Sequence, residues 1–425
     1  MRILISGVTG ESIPPPYAGI PKHTMLLARS WRELGHEVAA TFVYRHDKED
    51  DMGAQGTYFF EYKNAPKKLT KLFFLIRYAC WNPALYAQLL IQTVRAHKKI
   101  NPEIALSAAY GVFIDGVCRS FRPNIILAET ALLKTFVLTY VAKRRGIPIV
   151  IHTYAEVHDM TMSVNKYLRD RKLWQYWSEF LGRANKIISP SHYCALGPQK
   201  YVPKEKVDVV YYGIDTGPYE HLHATQIEAR EHFSIPQKVF AVMAVGALTS
   251  RKGHDHLIQV AGILAREGKP IEVILCGPGD SAWLEDIARR EGIEAHVHFF
   301  SKLSENELAL LYRCADLYCD ASNTPRACLG MSLTESMLTE LPVVAYAMGG
   351  MPEVVHEGKN GTLVSPNDIS GLARAIERVR AMAPDERRAW GEAGKALAKR
   401  EVDLETQSKR TLTILEAVHC SHPAV

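Results

Sequence analysis

Residues 239–279 read VFAVMAV GALTSRKG HDHLIQVAGILAREGKP IEVILC GPG, and this stretch decides the fold. Its two apolar runs, Val239–Val245 and Ile271–Cys276, have the length and the β-branched content of buried strands. Between the runs, apolar residues recur at helical spacing and form one face. These residues are Leu257, Ile258, Val260, Ala261 and Leu264. A strand, a helix and a second strand in this order predict two parallel strands joined by a crossover helix.

The same alternation of short apolar strands and helical periodicity extends along the whole chain. In the first half the predicted strands are Ile3–Ser6, Val38–Val43, Asn124–Ala128, Ile149–His152, Lys186–Ser189 and Val207–Tyr211. In the second half they are Val239–Val245, Ile271–Cys276, His296–Phe300, Asp316–Cys319, Pro342–Tyr346 and Thr362–Val364. The pattern predicts an α/β protein with two doubly wound, Rossmann-like domains. Since such sheets bind ligands beyond the carboxyl ends of their strands, we expect the domains to face each other across a ligand-binding cleft.

Turn-forming residues place the boundary between these domains. Gly213–Pro218 concentrates Gly, Asp, Thr and Pro, and a polar helix near Ala224–His232 follows it. We therefore predict an N-terminal domain at residues 1–215 and a C-terminal domain at residues 216–400. Residues 401–425 are expected to form a helix and tail that pack back toward the N-terminal domain.

The composition is that of an ordinary globular chain and excludes several classes of protein. Of the 425 residues, 47% are hydrophobic and 23% are charged, which excludes disordered and collagen-like chains. The net charge of +5 is too small for a dedicated nucleic-acid binder, so we expect no nucleic-acid partner. The eight cysteines include no CxxC pair, which favours reduced thiols and argues against a zinc site.

The reduced thiols that the cysteine pattern indicates favour a cytoplasmic location. The first residues, MRILISGVTG, lack the apolar core and the cleavage site of a signal peptide. A membrane-spanning helix needs roughly 18 consecutive apolar residues. The run at Leu72–Ile76 has only five. We therefore expect no membrane-spanning segment.

Three glycine-containing loops carry the candidate ligand chemistry, because each follows a predicted strand and opens a helix, where backbone N–H groups favour anions. The first, Gly7–His23, either binds an anion or is a βα turn without a ligand. The second, Val245–Gly253, holds Lys252, which either cradles a diphosphate or is a solvated cation. The third, Leu329–Ser336, holds Glu335, which suits a ribose diol or compensates the helix dipole. Together the loops predict a nucleotide-diphosphate site.

Further motifs fall in the order and spacing of one known family. In the first half they are Gly19 to His23, Leu34–Val38, Ala184–Ser191 and Val209–Asp215. In the second half they are Arg251–Gly253, Gly277–Gly279, Gly330 to Glu335, Pro342–Val344, Gly349–Val355, Gly358, Asn360–Gly361 and Asp368. Over nearly its full length the chain resembles the retaining glycosyltransferases of the GT-B fold that are numbered family 4.

The resemblance implies a donor substrate and a set of residues that hold it. Lys252 would neutralise the donor's diphosphate, amides near Gly330–Ser332 would bind its oxygens, and Glu335 would hold the ribose hydroxyls. The implied co-substrate is a UDP- or GDP-sugar, with no cofactor and no metal, and the sequence has no Asp-x-Asp motif. The candidate nucleotide-sugar-binding residues are Gly19, His23, Arg251, Lys252, Arg326, Leu329, Gly330, Met331, Ser332 and Glu335.

Two positions depart from the family pattern. Ala247 stands where the family has an arginine shortly before the lysine, and Ala327 stands where it has a glutamate eight positions before Glu335. Arg251 or Arg326 would have to replace the missing cation, and a displaced guanidinium is not equivalent by default. These departures leave the identity of the donor sugar open.

The loop after the strand Ile149–His152 is expected to hold polar groups that act on the sugar. Glu156 and His158 both fit, and together with Lys252 they are the candidate catalytic residues. Each would orient the acceptor or the donor sugar, and the other interpretation is a polar loop with one satisfied histidine. The resemblance implies front-face substitution, in which the donor phosphate takes the proton of the acceptor.

Two basic, aromatic segments, Lys67–Tyr78 and Lys172–Trp177, combine the ingredients of a helix that lies on anionic lipid. The other interpretation is core aromatics with cationic side chains that reach water. The leading hypothesis is a retaining glycosyltransferase on the cytoplasmic side, with a glycan, lipid-linked or small-molecule acceptor in cell-surface polysaccharide or glycoconjugate synthesis. The alternatives are a non-catalytic GT-B module that binds a nucleotide or a partner, and a GT-B epimerase or phosphorylase.

Overall fold

The computed structural model describes residues 1–8, 19–45, 56–62, 67–97, 102–158, 171–324 and 327–422. The chain divides into two compact units. Unit 1 comprises Met1–Gly213 together with Glu405–Val425, and unit 2 comprises Ile214–Leu404. Each unit is built around one parallel sheet.

The sheet of unit 1 has seven parallel strands in the order β3-β2-β1-β4-β5-β6-β7. The strands are β1 (Arg2–Val8), β2 (Glu37–Arg45), β3 (Gly56–Tyr62), β4 (Ile125–Glu129), β5 (Ile149–His152), β6 (Lys186–Ser189) and β7 (Val207–Val209). The helices are α1 (Gly19–Glu33), α2 (Lys67–Trp81), α3 (Pro83–His97), α4 (Pro102–Phe121), α5 (Leu133–Arg145), α6 (Arg171–Gly182) and α7 (His192–Ala195). Short 3₁₀ turns follow at Pro198–Lys200 and Lys204–Lys206.

The sheet of unit 2 has six parallel strands in the order β10-β9-β8-β11-β12-β13. They are β8 (Ala241–Val245), β9 (Glu272–Cys276), β10 (Val297–Phe300), β11 (Leu317–Asp320), β12 (Val343–Tyr346) and β13 (Gly361–Val364). The helices are α8 (Gly217–Glu220), α9 (Gln226–His232), α10 (His254–Arg266), α11 (Ala282–Glu291), α12 (Glu305–Tyr312), α13 (Met331–Leu338), α14 (Ile369–Ala381) and α15 (Pro384–Val402). The 3₁₀ turns are Ser250–Lys252, Glu294–His296 and Met351–Glu353. The last helix, α16 (Leu404–Ser421), lies almost entirely in unit 1.

The core of unit 1 lies on both faces of its sheet, because successive residues of a strand point to opposite faces. Leu4 and Ile126 belong to the apolar cluster that contains side chains of α4, α5 and α6. Ile3 and Ile5 belong to the cluster that contains side chains of α1 and α16. These four strand residues have no exposed surface. Burial on both faces explains why the strands read as nearly continuous apolar runs.

Helix α4 is a core helix of unit 1. Among the described residues it is the one helix long and apolar enough to cross a membrane, and 72% of its most apolar window is buried inside the protein. Its buried carboxylate, Asp115, accepts a hydrogen bond from Nε of Arg145 at 2.7 Å and another from Nη2 of Arg119 at 2.6 Å. Because Arg145 lies on α5, this ion pair ties two neighbouring helices together.

The two doubly wound parallel sheets confirm the predicted α/β class. Every predicted strand forms, with ends that shift by a residue or two. A capping box begins α12, since Ser304 accepts from the amide of Glu307 and donates its own amide to that carboxylate at 2.8 Å. Strand β3 was missed; it lies at the sheet edge and pairs with β2 alone.

Candidate functional site

The loop after β8 holds a lysine against a glycine. The side chain of Lys252 lies over Gly246, so that a Cβ atom placed on this glycine would be 2.8 Å from Cε and 3.2 Å from Nζ. Gly246 has a φ of 153°, which side chains rarely adopt. No carboxylate among the described residues pairs with Lys252. The loop therefore positions an ammonium group that no described carboxylate neutralises, as an anionic ligand requires.

Neighbouring segments fix this loop in place. The next glycine loop packs on it, since a Cβ on Gly277 would lie 2.0 Å from the carbonyl oxygen of Gly246. The segment after β11 also packs on it, since a Cβ on Gly253 would lie 2.0 Å from the carbonyl oxygen of Ala321. The amide of Asn323 donates to the carbonyl of Arg251 at 3.1 Å. These contacts join the loops after β8, β9 and β11.

Two polar residues of this region were not singled out from the sequence. His254 begins α10, has an Nε2 atom 3.3 Å from the carbonyl of Gly246, and has a pKa that burial lowers to about 4. Asp320 ends β11; its Oδ1 accepts from the amide of Ser322 at 3.0 Å, and its buried Oδ2 has no hydrogen-bond partner among the described residues. Both residues sit next to predicted ligand loops, and that position is the signal that could have found them.

The third loop turns at Gly330, whose φ is 51°, and opens α13. The first N–H groups of a helix have no intrahelical acceptor and are free for an anion; here they belong to Met331 and Ser332. The buried carboxylate of Glu335 accepts from the hydroxyl of Tyr312 at 3.2 Å, which limits its side-chain freedom. A Cβ on Gly330 would lie 3.4 Å from Oδ2 of Asp320, so this turn adjoins the loop after β11.

For the remaining predicted residues of unit 2 that the structure describes, it shows burial or exposure but no contact that indicates a ligand. Arg251 is exposed, and Leu329 is buried in the turn before α13. Arg326 lies outside the described residues. Unit 2 therefore brings the Lys252 and Gly330 loops to adjoining positions at the carboxyl ends of β8 and β11, whereas no described contact tests a compensating arginine.

Unit 1 contains a second cluster of polar residues, at the carboxyl ends of two adjacent strands. Glu129 ends β4 and His152 ends β5, and the two are register partners in the sheet. His152 Nδ1 lies 3.4 Å from the Glu129 carboxylate. His23 reaches the same place from α1, with its ring centroid 5.4 Å from that of His152. The exposed fractions of His23, Glu129 and His152 are 2%, 0% and 1%.

Burial and mutual contact set the charge states in this cluster. Burial, aided by His152, lowers the pKa of His23 to about 3, so the imidazole is neutral at physiological pH. Burial acts to raise the pKa of Glu129, but His152, His23 and Tyr154 together hold that pKa below the usual value. Tyr154 donates its hydroxyl proton to this carboxylate, and burial raises the pKa of Tyr154 well above its usual value. An ionised carboxylate is thus held between a tyrosine and a histidine.

The predicted catalytic pair lies on the loop after β5 and has separate surroundings. Glu156 accepts hydrogen bonds from the amide of Ala131 at 2.6 Å and from the amide of Tyr154 at 2.8 Å, and burial raises its pKa. The ring of His158 stacks on Tyr193 with centroids 4.8 Å apart, and burial lowers its pKa. Glu156 therefore joins the loops after β4 and β5, and the catalytic roles of both residues stay predictions.

Sequence reasoning included His23 but missed Glu129, His152 and Tyr154. Gly19, which was also predicted, is the first residue of α1. The missed signal was positional: a glutamate and a histidine are the last residues of two neighbouring strands. The predicted strand Asn124–Ala128 stopped one residue short of this glutamate.

Comparison with known families identifies the family of this chain. Residues 17–217 match the model of Glycosyltransferase Family 4, and residues 225–397 match the model of Glycosyl transferases group 1. The chain belongs to family 4 of the GT-B glycosyltransferases. One family model therefore matches most of each unit, and the Lys252 and Gly330 loops lie in the second unit.

Curated relatives match part of the glycosyltransferase chain. The D-inositol 3-phosphate glycosyltransferase of Corynebacterium aurimucosum is 32% identical over 183 residues, which are 41% of this chain and 43% of the relative. The enzyme of the same name from Salinispora tropica is 26% identical over 260 residues, which are 56% of this chain and 53% of the relative. The chain thus spans about half the length of the curated relatives it matches.

Solved structures share the fold over the whole chain. Sucrose-phosphate synthase from Thermosynechococcus elongatus superposes with a TM-score of 0.76, at 16% identity, and 99% of each chain is covered. HepE from Anabaena, solved in complex with UDP, superposes with a TM-score of 0.71, at 19% identity, over 98% of this chain and 100% of HepE. At these identities the likeness shows the GT-B fold.

Proposed function

We propose that this glycosyltransferase transfers a sugar from a nucleotide-diphosphate sugar to an acceptor with retention of anomeric configuration. The observation that carries the proposal is Lys252, which is held over Gly246 with no described carboxylate to pair with it. The adjoining Gly330 turn supplies N–H groups, and Glu335 supplies a positioned carboxylate. A cation, free amides and a carboxylate are the groups that a nucleoside diphosphate needs.

The donor half of the reaction follows from these groups. When the bond between sugar and diphosphate breaks, negative charge develops on the leaving phosphate oxygens. Lys252 and the amides of Met331 and Ser332 stabilise that charge, and preorganised donors of this kind are worth about 3–4 kcal/mol each in other enzymes. Glu335 accepts hydrogen bonds from the ribose hydroxyls. This assignment gives the diphosphate positive charge from the protein, so we propose that transfer needs no metal.

The named relatives support a sugar nucleotide as the donor. HepE from Anabaena has been solved with UDP, with UDP and glucose, and with UDP-glucose. A UDP-sugar is therefore the first donor to test, and a GDP-sugar is the second. Ala247 and Ala327 leave open which sugar it carries.

We assign the binding of the acceptor and of the sugar ring to residues of unit 1. The ionised carboxylate of Glu129 offers a hydrogen-bond acceptor, and His152 offers a polar ring nitrogen, at the strand ends where α/β sheets bind ligands. Glu156 and His158 are kept as candidate catalytic residues on the neighbouring loop. In the front-face mechanism the donor phosphate takes the acceptor's proton, so none of these residues has to be a strong base.

The exposed apolar side of α2 supports a proposal about lipid contact and about the acceptor. Leu72, Phe73 and Ile76 are 54%, 60% and 57% exposed on one side of this helix, which has no acidic residue. We propose that this face contacts anionic lipid on the cytoplasmic side, and that the acceptor is a glycan, a lipid-linked sugar or a small molecule of a cell-surface pathway. In the second basic segment Trp177 is 1% exposed and Trp174 is 53% exposed, so that segment is divided between core and surface.

A donor screen tests the proposed function. Nucleotide sugars that bind raise the melting temperature by mass action even without an acceptor, and donors that bind then enter hydrolysis and transfer assays. Production of a glycoside supports the proposal. Nucleotide binding without turnover favours the non-catalytic module, which the two alanines at positions 247 and 327 favour on sequence grounds. A change in the donor sugar without an acceptor indicates an epimerase.

A further inference from the structure

Three buried side chains with metal-ligand chemistry, His23, Glu129 and His152, converge at one place in unit 1. We propose that they bind a divalent transition-metal ion, with Zn²⁺ as the expected ion, and that the bound ion inhibits sugar transfer. The binding does not depend on the proposed function, whereas the inhibition rests on it. The scattered cysteines argued against zinc, but these three ligands come from separate segments that only the fold brings together.

The three donors already converge. One nitrogen of each imidazole and one oxygen of Glu129 all lie within 4.8 Å of one another. Zn–N and Zn–O distances are about 2.0–2.2 Å, so ligand atoms in a tetrahedral site lie about 3.4 Å apart. A contraction of at most about 1.4 Å between ligand atoms, within the reach of side-chain rotation, would therefore complete the site.

The imidazole rings of the cluster have hydrogen-bonding capacity that the described residues do not use. His23 Nδ1 and His152 Nε2 are buried and form no hydrogen bond in the described part of the chain. A buried polar atom without a partner costs about 1–3 kcal/mol. A neutral imidazole has one nitrogen with a free lone pair, which is the form that binds metals. Because His152 Nδ1 is the nitrogen that faces Glu129, an ion shared by these two residues would bind at Nδ1, or at Nε2 after the imidazole ring turns.

The ligand types select the class of ion. Two imidazoles and one carboxylate form the protein ligand set of several catalytic zinc sites, with a fourth position left for water. Calcium takes six to eight oxygen ligands, and magnesium demands an octahedral set of oxygens. The cluster therefore favours Zn²⁺ and its first-row neighbours over either alkaline-earth ion.

Outer residues orient the ligands. The hydroxyl of Tyr154 donates to Glu129, and the ring of Tyr154 stacks on His152 with centroids 5.1 Å apart. The edge of Tyr212 meets His23 at a centroid distance of 5.1 Å. Contacts of this kind fix ring orientation and ligand basicity, and their loss costs about 10–100-fold in metal affinity.

Inhibition follows from where the ligands lie. Glu129 and His152 end adjacent strands, at the sheet edge where the acceptor or sugar is proposed to bind. A bound ion would occupy the carboxylate and the ring nitrogen, so neither would be available for a hydrogen bond to a hydroxyl group. The reaction would then continue only after the ion is removed.

The test is a Zn²⁺ titration of the EDTA-stripped full-length chain against a chromophoric chelator near pH 7.5. We expect one tight site per chain, its loss in His23→Ala and Glu129→Gln, and about 10–100-fold weaker binding in Tyr154→Phe. His298→Ala is the matched control, because His298 lies 2.7 Å from Glu272 in another described histidine–carboxylate cluster. This control should titrate like the parent. Circular dichroism shows whether each variant is folded.

Three results would overturn the metal site: no protein-dependent uptake of Zn²⁺ by the parent, an unchanged titration in folded Glu129→Gln, or loss of the site in His298→Ala. Added Zn²⁺ should also lower transfer by the parent and EDTA should restore it. If a tightly bound ion leaves sugar transfer unchanged, the proposed inhibition is wrong. If the parent transfers no sugar, the proposed function fails, and the titration still decides the metal site.

Discussion

At the scale of single residues, the candidate nucleotide site depends on groups that the protein holds in place before a ligand arrives. Lys252 rests over a glycine, and Glu335 accepts from a buried tyrosine hydroxyl. A preorganised group loses little conformational entropy when it binds. Single substitutions should therefore change nucleotide affinity more than they change the fold.

Removal of either charged group should weaken binding of UDP or GDP. Lys252→Ala deletes the phosphate cation and Glu335→Gln deletes the charged ribose acceptor. Hydrogen bonds to charged groups contribute roughly 1.5–3 kcal/mol, so each variant should bind about 10–100-fold more weakly by calorimetry. Lys238→Ala, which removes an exposed lysine of the same unit, should bind like the parent. Parent-like affinity in both site variants would show that the nucleotide binds elsewhere.

A methyl group on Gly246 should weaken nucleotide binding while Lys252 keeps its charge. The new Cβ would lie 2.8 Å from Cε of the lysine and would push the ammonium aside. We expect a loss of about tenfold in affinity for UDP. Gly268→Ala is the control, because Gly268 also has a positive φ of 72° but no atom within 4 Å of the new methyl group. If the two variants bind UDP equally well, Gly246 does not set the position of Lys252.

At the scale of secondary-structure elements, the ion pair between α4 and α5 should stabilise unit 1 in a pH-dependent way. Burial acts to raise the pKa of Asp115, but hydrogen bonds from Arg145 and Arg119 hold it below the usual value. A depressed carboxyl pKa contributes stability that is complete above the unfolded pKa of about 3.9 and is lost as the pH falls through the folded pKa. Asp115→Asn should therefore lower the free energy of unfolding by roughly 1.5–3 kcal/mol near pH 7.

The measurement is the melting temperature of both proteins at pH 7 and at successively lower pH. The difference between them should shrink below about pH 4. Asp286→Asn serves as a control, since the Asp286–Arg289 pair is exposed and such pairs contribute about 0–1 kcal/mol. A difference that stays constant down to pH 2 would mean that the carboxylate charge is not the stabilising feature.

The apolar face of α2 should bind anionic vesicles. Phe73→Ser combined with Ile76→Ser removes two side chains that are 60% and 57% exposed, and should lower sedimentation with phosphatidylglycerol vesicles by at least about tenfold. Binding by the parent should also weaken with salt, because cationic side chains near the surface contribute about 1 kcal/mol each. Ile227→Ser, at a 61% exposed site in unit 2, should have no effect. Absence of binding by the parent at low salt would favour a soluble acceptor.

At the scale of the whole molecule, the sequence was sufficient to predict the strands that a local apolar pattern defines. Strands such as Ile149–His152 and Lys186–Ser189 have the predicted bounds, because both faces are buried and the apolar runs are continuous. Strand β3, GTYFFEY, was missed although its aromatic residues favour a strand; it lies at the sheet edge and pairs with β2.

The candidate site was predictable where a residue lies in or beside a loop whose own sequence indicates its chemistry. Lys252 and Glu335 lie in glycine loops whose sequence already indicates anion binding. Glu129 and His152 could not be paired from the sequence, because their proximity depends on which strands are neighbours and on the register between them. The unpartnered oxygen of Asp320 is likewise a property of packing, not of sequence.

The most direct test of the account is sugar transfer itself, measured with labelled UDP- and GDP-sugars in the presence of EDTA and followed by NMR of the anomeric centre. We expect a donor-dependent glycoside or hydrolysis product that keeps the anomeric configuration of the donor, together with a loss of about two orders of magnitude in rate for Lys252→Ala. A product with inverted configuration, a strict requirement for Mg²⁺ or Mn²⁺, or the absence of both turnover and nucleotide binding across the donors would contradict the account.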